Sequence, residues 1–429
     1  MSEHSKEKIL IKAGKVLTPS GARISDVLIE DGKISSIKEN LSAGDARTVD
    51  AKGMWVVPGL VDIHCHLREP GFEYKEDIAS GTAAAAKGGF TSICCMANTD
   101  PVNDSPVVTE FIRKKARDAG PIHVHPIAAL TKGLKGEQLT EVGELAASGA
   151  VALSDDGVSV RDANRLRLGL AYAKRFGLKV VSHPEDLDLT NGGLMNEGYW
   201  STALGLAGIT RAAEETIIAR DCAIAELEDA PIHIAHVSTR GGAEVVRAMK
   251  KRGLKVTAET APHYLYATDE WVRDYDTNTK VNPPLRTDDD QTALIEALRD
   301  GTIDCIATDH APHHIDEKNV EFALAANGIS GFETAFGICW TALVKPGHLT
   351  PEQLFEKMTS APAAIFNLDA GVLEEGRVAD VAVIDPEAEW VVDPKHFLSR
   401  GKNTPFTGRT LTGLARCTIA GGEVAYEVK

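Results

Sequence analysis

The feature that most constrains the fold of this chain is a series of eight short apolar segments between residues 58 and 368, separated by stretches with helical periodicity. The segments are Leu60–His64, Thr91–Cys95, Ile122–Ile127, Ala150–Leu153, Lys179–Ser182, Ile232–Ala235, Lys255–Ala258 and Ile303–Ala307. Short apolar strands that alternate with helices are typical of βα units around a parallel sheet. Eight such units in about 300 residues predict an α/β fold, a closed (β/α)8 barrel of the TIM type.

The two ends of the chain have a different pattern, in which short alternating strands are separated by glycine turns. It is present within residues 9–57 and again at 379–385 and 417–426. Neither end has enough strands for a core of its own. We therefore predict a catalytic barrel of residues 58–368 and one small composite β-sandwich, built from residues 1–57 plus 369–429.

The charge and the apolar pattern exclude several classes of partner. A formal net charge of −16 leaves no basic surface for nucleic acid or anionic lipid, so we expect a small-molecule substrate. The first eight residues are polar, and no apolar run reaches the roughly 18 residues of a membrane helix. We expect a cytoplasmic protein. Its seven cysteines, an odd number without a C-x-x-C pair, are typical of buried free thiols.

Imidazole or carboxylate groups follow five of the eight predicted strands, and barrels of this type carry their chemistry at these strand ends. The residues are His64 and His66 after the first strand, Asp155 and Asp156 after the fourth, His183, His236 and Asp309. Histidines at positions i and i+2 of an extended chain share a face and can bind one cation. This mixture of ligands favours zinc, with manganese or cobalt as alternatives, and either one ion or a carboxylate-bridged pair.

A second His-x-His pair, His123 and His125, is the obvious competitor. It lies within a predicted strand, and no acid or arginine follows it. We therefore predict that it binds no metal, and that His233 and His263 belong to the core or support a ligand.

Several motifs together resemble the dihydroorotases of the amidohydrolase superfamily, of the bacterial class I type. They are His64-Cys65-His66-Leu67-Arg68-Glu69-Pro70-Gly71, Gly88-Gly89-Phe90-Thr91, Met96-Ala97-Asn98-Thr99, Ser154-Asp155-Asp156-Gly157, His236-Val237-Ser238-Thr239, Asn282-Pro283-Pro284-Leu285-Arg286, Ala307-Thr308-Asp309-His310-Ala311-Pro312-His313 and Asn403-Thr404-Pro405-Phe406. The resemblance extends from near residue 9 to the end of the chain.

The resemblance implies reversible cyclisation of N-carbamoyl-L-aspartate to L-dihydroorotate in the biosynthesis of UMP. It assigns His64, His66 and Asp309 to one metal, His183 and His236 to another, and Asp156 to a bridge between them. Asp155 is the competing neighbour of Asp156, which the family register favours. A bound cation lowers the pKa of water so that hydroxide attacks the ring amide, and Asp309 would act as general base and then acid.

Substrate contacts follow from the same resemblance and from charge. Arg68 lies two residues beyond His66, where its planar guanidinium can bind a substrate carboxylate. The resemblance adds Asn98, Asn282 and His313. It also adds the backbone of Asn327 and Gly328, within a polar segment of residues 311–331 that we predict to be a lid. Relatives commonly have Pro-Phe-Gly-Ile where this chain has Ala326-Asn327-Gly328-Ile329.

Two alternative functions remain open at this point. Hydantoinases, dihydropyrimidinases and allantoinases share the barrel and the paired histidines, although Arg68 favours a ring that bears a carboxylate, and lysine at the bridging position would have favoured these enzymes. A non-catalytic homologue could serve as a partner of aspartate transcarbamoylase, but it would have lost ligands, and none is lost here. The resemblance also implies a homodimer and possible association with the transcarbamoylase.

Overall fold

A computed structural model describes residues 7–428 of the chain, so residues 1–6 and 429 of the predicted terminal domain lie outside it. In chain order its strands are β1 (Ile9–Thr18), β2 (Gly21–Glu30), β3 (Lys33–Lys38), β4 (Arg47–Asp50), β5 (Trp55–Pro58), β6 (Leu60–Cys65), β7 (Phe90–Cys95), β8 (His123–Ala128), β9 (Ala152–Ser154), β10 (Lys179–Ser182), β11 (Met195–Asn196), β12 (Gly208–Ile209), β13 (Ile232–Ile234), β14 (Val256–Thr260), β15 (Cys305–Ile306), β16 (Val381–Val391), β17 (Thr410–Ala420) and β18 (Glu423–Glu427).

The α-helices are α1 (Ile78–Lys87), α2 (Pro106–Ala119), α3 (Val142–Ser148), α4 (Ala163–Lys174), α5 (Leu187–Thr190), α6 (Tyr199–Leu204), α7 (Ala212–Leu227), α8 (Arg240–Lys251), α9 (Asp288–Arg299), α10 (Ile315–Lys318), α11 (Phe332–Cys339), α12 (Pro351–Met358) and α13 (Ser360–Ile365). Within residues 7–428, no helix is both long enough and apolar enough to cross a membrane.

Eight parallel strands form the barrel, in the order β6-β7-β8-β9-β10-β13-β14-β15. Between β15 and β6 the barrel is held by Thr308, whose backbone N–H and hydroxyl donate to the Asp62 carboxylate at 2.7 and 2.8 Å. A parallel bridge between Cys65 and His310 lies beside this contact. The predicted fold class, a (β/α)8 barrel of the TIM type, is confirmed, and the observed parallel barrel is nearly closed.

The strand bounds differ from the predicted ones by a few residues, most clearly in the last strand. The prediction covered residues 303–307, whereas β15 covers only Cys305–Ile306. Backbone hydrogen bonding nevertheless continues on both sides, because the Asp304 N–H donates to Ala258 and the Ala307 N–H donates to Thr260. The ladder of hydrogen bonds is therefore longer than the stretch of regular strand geometry. The residue at which the strand ends was predicted to within one position.

Alternation along the barrel strands separates two apolar layers. One strand residue out of two packs into a small central cluster that includes Ile127, Ala152, Val181 and Ala235. The intervening residues, such as Val180, pack with the surrounding helices. Buried sheets covered by helices require apolar side chains on both faces, which explains the continuous apolar segments in the sequence. All seven cysteines are buried and free, as predicted.

Strands from both ends of the chain join in one further sheet, with the order β18-β17-β16-β5-β1-β2-β3 and β4 paired to β1. The two ends meet where β5 pairs antiparallel with β16, with Val57 opposite Ala382. The hydrogen bonding is continuous, and the sheet has its own apolar cluster with members from both ends, such as Ile9, Val27 and Ile419. The division at residues 57 and 369 stays a prediction.

Candidate metal centre and substrate pocket

The predicted ligands converge at one mouth of the barrel because each lies within three residues of the C-terminal end of a parallel strand. Two overlapping groups have ligand atoms that all lie within 4.8 Å of one another. The first consists of His64, His66 and Asp156, and the second consists of Asp156, His183 and His236. Asp156 belongs to both groups, which is the position required of a bridging carboxylate.

The distances around Asp156 place its carboxylate between the two pairs of histidines. Its Oδ1 lies 3.3 Å from His64 Nε2, 3.4 Å from His183 Nδ1 and 3.8 Å from His236 Nε2. Its Oδ2 lies 3.6 Å from His66 Nε2. Burial alone would raise the pKa of Asp156, but the surrounding imidazoles hold it well below its usual value. The carboxylate is therefore ionised, as a metal ligand must be.

Asp155, the competing neighbour, points away from this cluster. Its Oδ1 accepts from the backbone N–H groups of Leu130 and Thr131, both at 2.9 Å. Its Oδ2 accepts from the hydroxyl of Thr131. Successive side chains at a strand end diverge, so only one of the two aspartates can face the mouth.

Asp309 completes the first group from the opposite side. Its Oδ1 lies 3.2 Å from His66 Nε2 and 3.6 Å from His64 Nε2. Asp309 and His236 both have left-handed backbone conformations, with φ of 46° and 34°. Such conformations are costly for residues other than glycine and cluster at functional sites, where the surrounding fold imposes them.

Unpartnered buried atoms test whether these residues suit a metal. His64 Nε2 and Asp156 Oδ1 are buried and have no hydrogen-bond partner among the described residues. Buried polar atoms in native proteins are almost always satisfied, so this pair calls for a bound group. A divalent cation would satisfy both atoms, and imidazole with carboxylate is a suitable donor set for one. The residues therefore fit a metal.

His64 is oriented by Glu259, which sequence reasoning did not identify. His64 Nδ1 lies 2.6 Å from Glu259 Oε1, while His233 Nε2 lies 3.1 Å from the other carboxylate oxygen. A ligating histidine commonly donates its second ring N–H to a carboxylate, which leaves the other nitrogen free for the metal. The signal available in the sequence was a carboxylate one residue beyond the seventh predicted strand. His233 lies in the core, in the supporting position that its sequence context suggested.

Replacing Glu259 with glutamine is expected to weaken metal binding by about 10- to 100-fold, the usual effect of losing the group that supports a ligating histidine. Metal content after dialysis against graded chelator measures the change. Glu214→Gln is the matched control, because Glu214 is also buried but accepts from Ser238 and Thr239 instead of from a candidate ligand. Equal metal retention in Glu259→Gln and the parent protein would contradict the supporting role.

Asn98 and Asn282, predicted to contact substrate, also hold the imidazoles in place. His66 Nδ1 lies 2.9 Å from Asn98 Oδ1. Asn282 Nδ2 donates to Glu185 Oε2 at 2.9 Å, and the same oxygen lies 3.1 Å from His183 Nε2. Glu185 is therefore a second supporting carboxylate that the sequence analysis left without a role, although it lies only two residues from His183.

A cavity of about 190 Å³ opens above the metal ligands. Its wall contains eleven of the twelve predicted site residues, all except His64, together with Gly157 and Ala311. The lining residues are His66, Arg68, Asn98, Asp156, Gly157, His183, His236, Asn282, Asp309, Ala311, His313, Asn327 and Gly328. The fold thus brings together residues that are up to 262 positions apart, from His66 to Gly328.

Arg68 contributes an unusual cation to this wall. Its Nε donates to the carbonyl of Pro312 at 3.2 Å, and its Nη2 lies 3.3 Å from His313 Nε2. It forms no ion pair with any carboxylate of residues 7–428, and burial lowers the pKa of its guanidinium. A cation that is partly withdrawn from water without an anionic partner is costly, and a bound carboxylate would compensate for that cost.

His313 is neutral beside Arg68. Burial, followed in importance by the neighbouring Arg68 charge, lowers the pKa of His313 to about 3. Its Nε2 lies 2.8 Å from the carbonyl oxygen of Asn327, and its Nδ1 lies 3.3 Å from Glu317 Oε2, so each ring nitrogen faces an acceptor. The shorter contact assigns the single ring proton to Nε2. The approach of Arg68 to Nε2 is then a close contact and not a hydrogen bond.

The backbone of Asn327 and Gly328 already has protein partners. The Asn327 carbonyl accepts from His313, and the Gly328 N–H donates to the carbonyl of Lys280 at 2.9 Å. Gly328 has φ of 147°, and a Cβ there would lie 2.5 Å from the carbonyl oxygen of Ala311, so only glycine fits. The predicted substrate contacts of these two backbone groups stay a prediction.

Asn403, from the C-terminal part of the chain, forms hydrogen bonds with the backbone of this cavity wall. Its Nδ2 donates to the carbonyls of Ala311 and Gly328 at 3.2 and 2.9 Å, and its Oδ1 accepts from the His313 N–H at 3.0 Å. The Asn403-Thr404-Pro405-Phe406 motif of the sequence therefore has a structural role. Its role is to tie the two ends of residues 311–331 together.

The second His-x-His pair does not join the cluster. His123 and His125 lie in the first half of β8, away from the strand end that faces the mouth. His123 Nε2 is instead 3.0 Å from Asp380 Oδ1, in the segment before β16. Position along the strand, which distinguished the two pairs in the sequence, also separates them in space.

Comparison with known proteins identifies the family. A family model described as Dihydro-orotase-like matches residues 53–242, and one described as Amidohydrolase family matches residues 201–426. A dihydroorotase from Acetivibrio thermocellus is 54% identical over 423 residues, which cover 98% of this chain and 99% of that protein. One from Geobacter metallireducens is 53% identical over 422 residues, with coverage of 98% and 99%. The chain belongs to the dihydroorotase family.

Solved structures show which other enzymes share the fold of this dihydroorotase family member. The L-hydantoinase (dihydropyrimidinase) from Arthrobacter aurescens has a TM-score of 0.88 at 25% identity, covering 98% of this chain and 96% of that one. A dihydropyrimidinase from Brevibacillus agri has a TM-score of 0.87 at 25% identity, with coverage of 98% and 95%. The chain thus shares its backbone with other cyclic amidohydrolases, and side chains in the pocket must distinguish their substrates.

Proposed function

We propose that this chain is a dihydroorotase, which interconverts L-dihydroorotate and N-carbamoyl-L-aspartate in pyrimidine biosynthesis. The observation that carries the proposal is Arg68, a cation that pairs with no carboxylate of residues 7–428 and lies in the wall of a cavity whose floor is a histidine and aspartate cluster. Dihydroorotate carries a carboxylate beside its cyclic amide, so one end of the molecule matches Arg68 and the other matches the cluster. The names and high identity of the curated relatives support the same assignment.

We propose zinc as the metal, as one ion or as a pair bridged by Asp156. When bound, the metal would act as a Lewis acid toward the amide carbonyl and would lower the pKa of the attacking water. His64, His66 and Asp309 would hold one ion, and His183 and His236 would hold the second. The separation of these residues into two groups that share Asp156 supports this division.

Protein side chains would orient the substrate and move protons. Arg68 would bind the substrate carboxylate, with Asn98, Asn282, His313 and the backbone of Asn327 and Gly328 as the remaining polar contacts. Asp309 lies where a carboxylate can take a proton from the attacking water and return it to the ring nitrogen that leaves. In the direction of ring closure the same proton transfers run in reverse.

Hydantoinase, dihydropyrimidinase or allantoinase activity is the competing function, because these enzymes share the fold. The bridging position in the cavity is occupied by Asp156 and not by a lysine, and Arg68 lies in the cavity wall. Both features favour a dihydroorotase. Homodimer formation and association with aspartate transcarbamoylase stay predictions from the resemblance, and a cytoplasmic location stays a prediction from the polar N-terminus and the apolar pattern.

Hydrolysis of dihydroorotate, hydantoin and allantoin by the purified, metal-loaded protein tests the proposal. We expect turnover of dihydroorotate and little or none of the other two rings, which lack the carboxylate that Arg68 would bind. Turnover of hydantoin or allantoin without turnover of dihydroorotate would overturn the assignment.

Arg68→Met is expected to lower kcat/KM for dihydroorotate by about a hundredfold or more, because it leaves a desolvated substrate carboxylate without its partner. Arg68→Lys should recover only part of the loss, since lysine lacks the planar, bidentate guanidinium. Arg113→Met is the control, because Arg113 is remote from this cavity and donates to the carbonyl of Ser148. Equal losses in Arg68→Met and Arg113→Met would argue against carboxylate recognition by Arg68.

A further inference from the structure

Two buried lysines connect two segments of the cavity wall, one that leads to Asn282 and one that leads to Asn327 and Gly328. Lys318 lies at the end of α10 and is 3% exposed, and Lys280 is 6% exposed. Neither forms an ion pair with any carboxylate of residues 7–428, and all their side-chain hydrogen bonds go to backbone carbonyls. Lysine is rarely buried in this way without an acidic partner, so the arrangement requires an explanation.

Lys318 bonds to both sides of the wall at once. Its Nζ donates to the carbonyls of Thr277 at 2.9 Å and Lys280 at 3.3 Å, in the segment that leads to Asn282. It also donates to the carbonyl of Ala326 at 2.6 Å, immediately before Asn327 and Gly328. An ammonium group has three donors, so these three carbonyls use all of them.

The carbonyl of Lys280 is the point where the two segments meet. It accepts from Lys318 Nζ and also from the Gly328 N–H at 2.9 Å. Lys280 Nζ extends the connection in the other direction, since it donates to the carbonyls of Phe322 and Ala323 at 2.8 and 2.9 Å. The position of Gly328 relative to Asn282 is therefore set by this lysine network.

We propose that Lys318 is a positioning residue for the substrate: it holds Asn327 and Gly328 in register with Asn282 by bonding the backbone of both segments. This inference rests on the proposed function, because these three residues line the cavity in which dihydroorotate would bind. Lys318 itself does not line the cavity and touches no predicted metal ligand. It acts through the backbone of its neighbours.

Burial opposes the ammonium form of Lys318 that the three carbonyls require. Burial, and then the adjacent Lys280 ammonium, lower the pKa of Lys318 to about 7, although Asp276 and Glu317 act in the opposite direction. The folded protein therefore keeps a lysine where its charged form is disfavoured. A residue needed only to fill space would be replaced by an apolar side chain at lower cost.

Lys318→Met tests the proposal, with Lys357→Met as the matched control. Lys357 is a partly buried lysine that also has a lowered pKa, and its Nζ donates to the carbonyl of Ile303 at 2.9 Å. That contact lies before β15, at the end of the barrel away from the mouth. The control therefore removes the same kind of bond without touching the wall.

We expect KM for dihydroorotate to rise by about tenfold or more in Lys318→Met, while kcat changes by less than about threefold. Loss of a charge-assisted hydrogen bond in a buried site has an effect of this order. A wall displaced away from the reacting amide removes binding that the ground state and the transition state share, which raises KM alone. Lys357→Met should leave KM within about twofold of the parent value.

Hydrogen exchange provides a readout that does not depend on turnover. The amide of Gly328, which donates to Lys280, and peptides from residues 311–331 should exchange faster in Lys318→Met than in the parent or in Lys357→Met. If Lys318→Met does not fold, Lys318→Gln, which keeps two N–H donors, is judged by the same criteria.

Unchanged KM and unchanged exchange in a folded Lys318 variant would overturn the proposal, as would an equal rise of KM in Lys357→Met. If the parent protein does not act on dihydroorotate, the proposed function fails. In that case the exchange of Gly328 still decides whether Lys318 holds the wall.

Discussion

Replacing Asp309 with asparagine is expected to lower kcat for dihydroorotate by about 10²- to 10⁴-fold while the protein remains folded. The carboxylate lies 3.2 Å from His66 Nε2 at the floor of the cavity, and an amide in its place cannot take up or return a proton. Asparagine tolerates the left-handed backbone of this position, with φ of 46°, so the fold should persist. Steady-state kinetics, together with thermal unfolding, measure the two effects separately.

Asp304→Asn is the control for this experiment because Asp304 immediately precedes β15, at the other end of the same strand. Its Oδ2 accepts from Lys250 Nζ at 2.7 Å and from the Ala258 N–H at 2.8 Å. We expect Asp304→Asn to cost about 1–2 kcal/mol of unfolding free energy and to leave kcat unchanged. A folded Asp309→Asn protein with kcat within about tenfold of the parent would exclude proton transfer by Asp309.

Replacing Asp156 with asparagine is expected to remove metal from the protein, whereas the same change at Asp155 is not. Asp156 is the only residue shared by the two candidate ligand groups, so its loss should weaken both. The reduction in metal affinity should exceed the roughly 10- to 100-fold that is typical of supporting residues. Metal analysis after gel filtration, and activity with and without added zinc, measure the effect.

Asp155→Asn is a control at the adjacent position with the same chemical change. Its carboxylate accepts three hydrogen bonds from Leu130 and Thr131, so we expect a loss of about 1–3 kcal/mol in unfolding free energy with metal content retained. If Asp155→Asn loses metal and Asp156→Asn keeps it, the assignment of the bridge is reversed.

Much of the site could be predicted because its residues lie next to strands, and strands can be found from short sequence patterns. In a parallel barrel, the residues around the end of each strand gather at the mouth, so finding the strands grouped His64, Asp309 and the pair Asp155 and Asp156, and the family register then favoured Asp156. The same rule separated His66 from His123, which lies at the beginning of a strand. Errors of up to three residues in strand length did not matter, because only the position of the strand end was used.

Two residues whose roles the sequence analysis missed act on partners that are distant in sequence. Glu259 supports His64 across 195 positions, and Asn403 reaches His313 across 90. Glu185 and Lys318 have no local pattern that distinguishes them from solvated surface residues. Their roles became visible only when the barrel and its loops had brought the partners within hydrogen-bonding distance.

The barrel, the residue types of the candidate metal centre and the cation of the substrate pocket could all be predicted from the amino-acid sequence. Strand periodicity and the residue types at strand ends are properties of short segments, and they survive without knowledge of the rest of the fold. The orientation of individual side chains is visible only in the folded protein. Asp156 faces the barrel mouth and Asp155 faces away from it, Arg68 lies beside a neutral His313, and Lys318 lies between two segments of the wall. Those choices depend on which donors and acceptors are buried together, and long-range packing alone sets that.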